Sequence, residues 1–152
     1  MIYIAYGSNM SREQMAYRCP TAKLLGVGKM RGWDLEFFLH ATLLPNREHP
    51  KATVPVAVWE ISQFDRKRLD LYEGYPNYYK RYRTKVKLED GSEIEGMVYL
   101  MERYRVAPPT EEYYDGIEQA YHDLRLSKYI RTVLKPALDR SLNRMPGLSN
   151  QG

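Results

Sequence analysis

The alternation of apolar and polar residues along the chain predicts five β-strands. They cover residues 2–6, 33–40, 54–61, 82–88 and 94–101. Pro55 lies near the start of the third strand or on a sheet edge, because proline lacks the N–H that a central ladder position needs. Asp90 and Gly91 separate the last two runs, and an Asp-Gly pair between alternating runs is a strong signal for an antiparallel hairpin.

Capping signals predict where the first two helices begin and end. Ser11 opens the first helix with Gln14 as a capping-box partner, and this helix stops near Pro20. Ser62 opens the second helix, and Gly74 ends it. The apolar stripe of the second helix consists of Phe64, Leu69 and Tyr72.

Two more helices follow the hairpin. Thr110 caps the third, whose apolar positions repeat with the helical period, and the fourth runs over residues 127–142 with a kink near Pro136. Residues 42–53 contain two prolines and several charges, which predicts a loop.

The order of these elements indicates the fold class. Strands and helices do not alternate strictly and one antiparallel hairpin is clear, so we predict a mixed α+β domain, either an open sheet or a small barrel with helices outside. The length of 152 residues is typical of one compact unit. We assign the domain to residues 1–143 and expect residues 144–152 to form a flexible tail.

Composition adds one unusual feature, a surplus of tyrosine. The chain has 14 tyrosines against 3 phenylalanines and 2 tryptophans. A tyrosine-rich interior carries hydroxyl groups that need partners, so it suits a polar pocket as well as a core. The formal charge of +4 is basic but modest.

Several classes of protein are disfavoured. No apolar run approaches the roughly 20 residues that span a bilayer, and the first residues do not resemble a signal peptide, so we expect no membrane association. Cys19 is the single cysteine, which favours a reducing, cytoplasmic location and gives little support for a thiol nucleophile. His40, His49 and His122 lack metal-ligand spacing, so we expect no metal.

The first candidate for chemistry is the turn formed by Tyr6, Gly7, Ser8 and Asn9. Backbone N–H groups in a turn between a strand and a helix can hold a carboxylate, a phosphate or a developing oxyanion. The alternative is an ordinary connecting turn in which Gly7 has a positive φ and Ser8 or Asn9 caps the helix.

The second candidate is Glu73, at the C-terminal end of the second helix. The helix dipole disfavours an anion there, so this carboxylate is either solvated or held for a purpose. Burial beside Tyr72 and Tyr75 would raise its pKa, whereas Lys80 or Arg81 nearby would lower it.

A basic run occupies residues 80–87. Arg81, Arg83, Lys85 and Lys87 share one face of the predicted strand, which invites comparison with nucleic-acid-binding surfaces. Strands commonly direct charge outward, and no RNA-binding aromatic signature is present, so we favour a solvated face and predict no nucleic-acid partner.

Together these motifs resemble one family, the γ-glutamylcyclotransferases. The resemblance covers about residues 2–138 and rests on four features in the family's order. They are the Tyr-Gly-Ser-Asn-Met run of residues 6–10, the Glu73-Gly74 pair, residues 99–101 that close the hairpin, and residues 107–109 followed by Tyr113.

The resemblance implies a small mixed β-barrel of about five to six strands with flanking helices. It also implies release of 5-oxoproline from a γ-glutamyl amide, in which the α-amine of the substrate attacks its own γ-carbonyl. Intramolecular attack lowers the barrier without an enzyme nucleophile, which fits the absence of a catalytic triad motif.

The resemblance further assigns roles to residues. Glu73 is implied as the general base and acid, and Tyr6, Gly7, Ser8 and Asn9 are implied to hold the γ-glutamyl group. Tyr79, Tyr99 and Tyr113 match tyrosines that line the family's pocket, with Tyr78 as an alternative to Tyr79. No metal or organic cofactor is needed.

The partners follow from the same resemblance. We expect a small-molecule γ-glutamyl substrate, and the resemblance is compatible with a homodimer that no apolar stripe of this sequence requires. Two alternatives stay open, removal of a γ-glutamyl group from a bulkier metabolite and a basic module that binds nucleic acid. For the bulkier leaving group, residues 42–53 would help to form the pocket.

Overall fold

Five strands close into a barrel in the computed structural model, which describes residues 1–146. The described residues form seven strands: β1 Ile2–Ala5, β2 Lys23–Arg31, β3 Trp33–Phe38, β4 His40–Pro45, β5 Thr53–Glu60, β6 Tyr79–Leu88 and β7 Glu93–Met101. The barrel order is β1-β5-β2-β6-β7, and β3 and β4 form a separate two-stranded sheet. Strand β1 runs parallel to β7 and antiparallel to β5, so the barrel is mixed and the predicted fold class is confirmed.

The first three helices begin directly after the capping residues Ser11, Ser62 and Thr110, whereas the fourth begins at Lys135, later than the predicted residue 127. The helices are α1 Arg12–Arg18, α2 Gln63–Glu73, α3 Glu111–Asp123 and α4 Lys135–Asn143. The Ser11 Oγ accepts a hydrogen bond from the Gln14 N–H at 3.1 Å, and Ser62 and Asp65 form a complete capping box. A π-helical turn, Ile130–Leu134, directly precedes α4, and Pro136 lies in the first turn of that helix.

Strand β2 has no counterpart among the predicted strands, because its sequence lacks a clean alternation. Two glycines interrupt it, and its register with β5 shifts between Leu24 and Gly26. Gly28 is needed for packing, since a Cβ there would lie 2.5 Å from Val86 Cγ1 and 2.8 Å from the carbonyl oxygen of Lys87. The close approach of β2 and β6 that closes the barrel therefore depends on a residue that disfavours strands.

The predictions of one strand over residues 33–40 and a loop over residues 42–53 are both wrong in part. The chain reverses at Leu39, which has a φ of 65°, and β4 continues to Pro45. Ala41, Thr42 and Leu43 are buried, so this segment belongs to the core and only residues 46–52 connect β4 to β5.

The predicted stripe of α2 is also only partly correct. Leu69 is fully buried, but Phe64 is 58% exposed and Tyr72 is 44% exposed. Both rings instead face arginines, with Arg18 4.6 Å from the centre of Tyr72 and Arg68 5.9 Å from the centre of Phe64. Helix α2 thus lies on the barrel surface and contributes one core side chain from this set.

The hairpin and Pro55 agree with the sequence. Strands β6 and β7 pair from Tyr79 with Met101 to Lys87 with Glu93, around the Asp-Gly turn. Pro55 is paired with Lys29 of β2, but the pairing of β5 with β1 begins only at Ala57. The missing N–H of Pro55 therefore disrupts no hydrogen bond between β5 and β1.

Helix α4 packs against β3 through a buried carboxylate. Arg140 Nε donates to Glu36 Oε1 at 2.8 Å, and Arg144 donates to Glu36 Oε2 and to the Phe37 carbonyl oxygen. These bonds attach the end of the described chain to the domain. The predicted tail lies mostly outside the described residues, and within those residues no helix is both long and apolar enough to cross a membrane.

Candidate active site

A cavity of about 170 Å³ opens at the end of the barrel where β1 and β7 finish and β6 begins. All eight residues predicted for the site line it: Tyr6, Gly7, Ser8, Asn9, Glu73, Tyr79, Tyr99 and Tyr113. Seven further residues complete the wall: Tyr3, Ile4, Arg18, His40, Ala41, Tyr72 and Tyr78. Seven of the fifteen lining residues are tyrosines, so the surplus of tyrosine seen in the composition is concentrated here.

The turn after β1 is a 3₁₀ turn, Ser8–Met10. Met10 N–H donates to the Gly7 carbonyl oxygen at 3.1 Å, and this is the first donor within the turn. The N–H groups of Ser8 and Asn9 come before it, so they have no acceptor inside the turn and are available to an anionic group.

Gly7 provides space at the cavity wall and does not have a positive φ. The expectation of a positive φ is wrong, because Gly7 has φ −120° and ψ −132°. A Cβ at this position would lie 3.3 Å from the Ala41 Cβ and 3.5 Å from the Tyr113 hydroxyl oxygen. The missing side chain thus lets the turn lie close to the opposite wall of the cavity.

Asn9 links the turn to the carboxylate. Its side-chain Nδ2 donates to the Tyr3 hydroxyl at 2.9 Å and approaches Glu73 Oε1 at 3.5 Å. Its Oδ1 accepts hydrogen bonds from Gln14 at 3.0 Å and from Arg18 at 3.1 Å. These two donors fix the amide orientation, so the NH₂ group faces the cavity side of Glu73.

Glu73 is the last residue of α2, and Gly74 ends the helix with a φ of 63°. The sharp turn leaves the half-buried carboxylate against the cavity. Burial raises the pKa of Glu73 to about 7, and the charge of Arg18 opposes this shift. The carboxyl group is therefore poised near neutral pH, where it can both accept and donate a proton.

The cation beside Glu73 differs from the two weighed in the sequence. Arg81 lies 3.5 Å from Asp70 and stacks on Tyr75 at 4.1 Å, and neither Arg81 nor Lys80 lines the cavity. Arg18, from the end of α1, lines the cavity instead. Tyr72 covers Arg18, whereas Tyr75 is not part of the wall.

The tyrosine hydroxyls divide into two groups. Those of Tyr6, Tyr79 and Tyr99 donate to protein acceptors, namely the Tyr99 carbonyl oxygen at 2.5 Å, the Ala41 carbonyl oxygen at 2.6 Å and Asp70 Oδ1 at 2.6 Å. The Tyr113 hydroxyl instead accepts from the Ala41 N–H at 3.1 Å. Its proton is consequently available to a bound molecule, as is that of Tyr3, which accepts from Asn9.

Burial keeps these phenols protonated. It is the main cause that raises the pKa values of Tyr3, Tyr6, Tyr79, Tyr99 and Tyr113, and the nearby Glu73 adds to each shift. A protonated phenol is a hydrogen-bond donor, so the hydroxyls of Tyr3 and Tyr113 can donate to a molecule bound beside the single carboxylate of the wall.

Both candidates for the tyrosine after Glu73 line the cavity. Tyr79 is buried in the wall, and Tyr78 lies at the rim with its hydroxyl 2.8 Å from His40 Nδ1. Burial, and then Arg105 and Arg18, lower the pKa of His40, which favours its neutral form. His40 could not be predicted from sequence, because its position depends on the unforeseen reversal at Leu39.

Other sequence candidates lie away from the cavity. Burial raises the pKa of Cys19 to about 12, so this thiol is a poor nucleophile. None of residues 42–53 lines the cavity, so the expectation that they shape its leaving-group side is wrong.

The basic run on β6 lies opposite acidic residues of β7. Arg83 Nε lies 3.2 Å from Glu95 Oε1, and the register pairs Lys85 with Glu95 and Lys87 with Glu93. These acidic neighbours reduce the positive potential of this face.

Known proteins resemble this chain in sequence and in fold. The family model for γ-glutamyl cyclotransferase, AIG2-like, matches residues 3–121. Human and mouse γ-glutamylcyclotransferases are each 30% identical over 122 residues, which is 74% of this chain and 65% of theirs. The chain thus spans about two thirds of the length of these curated relatives.

A solved structure described as a γ-glutamyl cyclotransferase supports the same relationship. It has a TM-score of 0.78 and 28% identity, and the match covers 88% of this chain and 85% of that one. The chain belongs to the γ-glutamyl cyclotransferase family of the AIG2-like type.

Proposed function

We propose that this protein releases 5-oxoproline from a γ-glutamyl amino acid or a related γ-glutamyl amide. The α-amine nitrogen of the substrate forms a bond to its own γ-carbonyl carbon, and the amide bond to the leaving amine breaks. The observation that carries the proposal is one half-buried carboxylate with a pKa of about 7, facing a small cavity lined with phenols.

Glu73 is assigned as the base that deprotonates the α-ammonium group and as the acid that protonates the leaving amine. A glutamate with an ordinary pKa near 4.3 is about 5 kcal/mol too weak a base for an α-ammonium group of pKa near 7.8. A pKa of about 7 for Glu73 reduces this deficit to about 1 kcal/mol. Burial therefore supplies most of the basicity that the reaction needs.

The turn after β1 is assigned to the γ-glutamyl group. The N–H groups of Ser8 and Asn9 precede the first donor of the 3₁₀ turn. They can donate hydrogen bonds to the γ-carbonyl oxygen and so stabilise the negative charge that develops there. The hydroxyls of Tyr3 and Tyr113 retain protons for the substrate carboxylate, which would hold the α-amine in position for ring closure.

The leaving amine is expected to exit past His40 and Tyr78. Both residues line the cavity and also an outer cleft that includes Arg103 and Arg105. We expect a small-molecule substrate and no nucleic-acid partner, since Glu93 and Glu95 accompany the basic face of β6. A bulkier leaving group would be recognised at the His40–Tyr78 rim, which a panel of γ-glutamyl amides with leaving amines of increasing size can measure.

The test uses substrates that separate ring closure from simple hydrolysis. We expect 5-oxoproline and free alanine in equal amounts from γ-glutamyl-alanine, and no reaction with N-acetyl-γ-glutamyl-alanine, whose amine is blocked. Release of glutamate instead of 5-oxoproline, or turnover of the blocked substrate, would show a hydrolase. Inertness toward the whole amide panel would remove the proposal.

A further inference from the structure

A second cavity, of about 450 Å³, lies at the other end of the β6–β7 hairpin. It shares no lining residue with the cavity of Glu73. Lys87 in its wall and Tyr79 in the first cavity are eight positions apart on β6, a distance of about 26 Å along a strand. A ligand here would therefore be independent of the γ-glutamyl group.

The wall of this second cavity is strongly basic. It carries Lys29, Arg31, Lys87, Arg125 and Lys128 with a single carboxylate, that of Glu89, a surplus of four positive charges. Within residues 1–146, none of the five cations forms a salt bridge.

Two of these cations face each other across neighbouring strands. Lys29 of β2 is directly opposite Lys87 of β6 in the antiparallel register. Like charges at directly opposed positions destabilise a sheet, and an acidic residue at either position would remove the repulsion. Lys87 is also opposite Glu93 of β7, whereas Lys29 is opposite Pro55 of β5, so the strand registers pair no acidic residue with Lys29.

A third cation occupies a backbone position that favours glycine. Helix α3 ends with Leu126 N–H donating to the Tyr121 carbonyl oxygen at 2.7 Å and Arg125 N–H donating to the His122 carbonyl oxygen at 3.1 Å. This is a Schellman motif, whose left-handed residue is usually glycine, yet Arg125 holds it with a φ of 60°. A left-handed residue with a side chain costs about 1–2 kcal/mol, so local stability does not explain the arginine.

The rest of the cavity wall is apolar. Val27, Leu88 and Leu126 line it, and Tyr129 contributes an aromatic ring beside Lys128. A ligand that fits this wall combines several negative charges with an apolar or aromatic part. Deviations from local preference that converge on one cavity are typical of binding sites.

We propose that this cavity binds a nucleoside polyphosphate. The cations of β2, β6 and the segment after α3 would surround the phosphates from three sides, and Tyr129 would contact the base. This assignment does not depend on the reaction at Glu73.

Arg125→Gly is the decisive variant, because it separates binding from folding. Calorimetric titration at low salt should give a Kd for ATP below about 1 mM for the wild type, and a Kd at least about tenfold higher for this variant. Its Tm should be no lower than that of the wild type, because glycine suits the left-handed position. Lys67→Gln removes one exposed charge on α2 and should bind like the wild type.

Lys87→Gln provides a second test, since it should weaken ATP binding and relieve the repulsion from Lys29. If inorganic triphosphate binds more weakly than ATP, the nucleoside contacts the apolar part of the wall as proposed. If the two bind equally well, the nucleoside contributes nothing and the ligand is not a nucleoside polyphosphate. If the wild type does not bind ATP, or if Lys67→Gln weakens ATP binding as much as Arg125→Gly does, the proposed site is wrong. If ATP inhibits 5-oxoproline release equally in the wild type and in Arg125→Gly, ATP binds in the first cavity. This result would also contradict the proposed second site.

Discussion

Replacing Glu73 by glutamine should stabilise the protein at neutral pH. Burial raises the pKa of Glu73 from 4.5 to about 7, so ionisation is less favourable in the folded state than in the unfolded chain. Below about pH 4.5 the carboxyl group is neutral in both states and glutamine should bring no gain. Between pH 4.5 and 7 only the unfolded chain ionises fully, so wild-type stability falls as pH rises.

The full difference of about 2.5 pKa units corresponds to about 3.4 kcal/mol, and partial solvent exposure of the residue reduces it to about 1–3 kcal/mol. In urea unfolding from pH 4.5 to 8, the free energy of unfolding of Glu73→Gln should exceed that of the wild type. This difference should grow up to about pH 7 and then stay constant. The matched control Glu60→Gln lies at an exposed position and should show no such trend. A Glu73→Gln protein that is less stable than the wild type at pH 8 would refute the burial argument.

Two further substitutions test the surroundings of the carboxylate. Arg18→Gln removes the charge that lowers the pKa of Glu73. The acidic limb of the pH profile of kcat/KM, which reports this pKa, should therefore move to higher pH, while the alkaline limb, which reports the substrate amine, stays fixed. A shift of the acidic limb to lower pH would contradict the assignment. Gly7→Ala places a Cβ 3.3 Å from the Ala41 Cβ, closer than an ordinary van der Waals contact, so the turn must shift and kcat should fall about tenfold or more, with about 1 kcal/mol lost from the free energy of unfolding in urea. Gly116→Ala on α3, where a Cβ meets no atom within 4 Å, is the matched control, and an equal loss of kcat there would exclude the steric explanation.

The fold was predictable where a local signal matched the global structure. Ser11, Ser62 and Thr110 cap helices because their side chains satisfy the first N–H groups, and this chemistry is visible in a short window of sequence. The Asp-Gly turn sets the β6–β7 register for the same reason.

The missed elements depend on distant contacts. Gly28 lies in a strand because Val86 and Lys87 of another strand leave no room for a side chain, and no neighbour in sequence reveals this. Leu39 reverses the chain with a positive φ that leucine rarely adopts, so residues 33–45 look like one strand followed by a loop.

The candidate site shows the same division. The glycine turn and the Glu73-Gly74 helix end are contiguous motifs, so they could be found in the sequence. Arg18 lines the cavity with its guanidinium in contact with Tyr72 and Asn9, which belong to two different elements, and no short window of sequence reveals these contacts. His40 enters through the unforeseen hairpin, and its contact with Tyr78 joins residues 38 positions apart.

The most direct test of the central claim is the turnover of Glu73→Gln with γ-glutamyl-alanine at pH 7.5. Loss of the only assigned base should lower kcat by at least about 10²-fold, while substrate binding measured by calorimetry is retained. Glu60→Gln should keep wild-type kcat. Turnover by Glu73→Gln at the wild-type rate would contradict the role of this carboxylate.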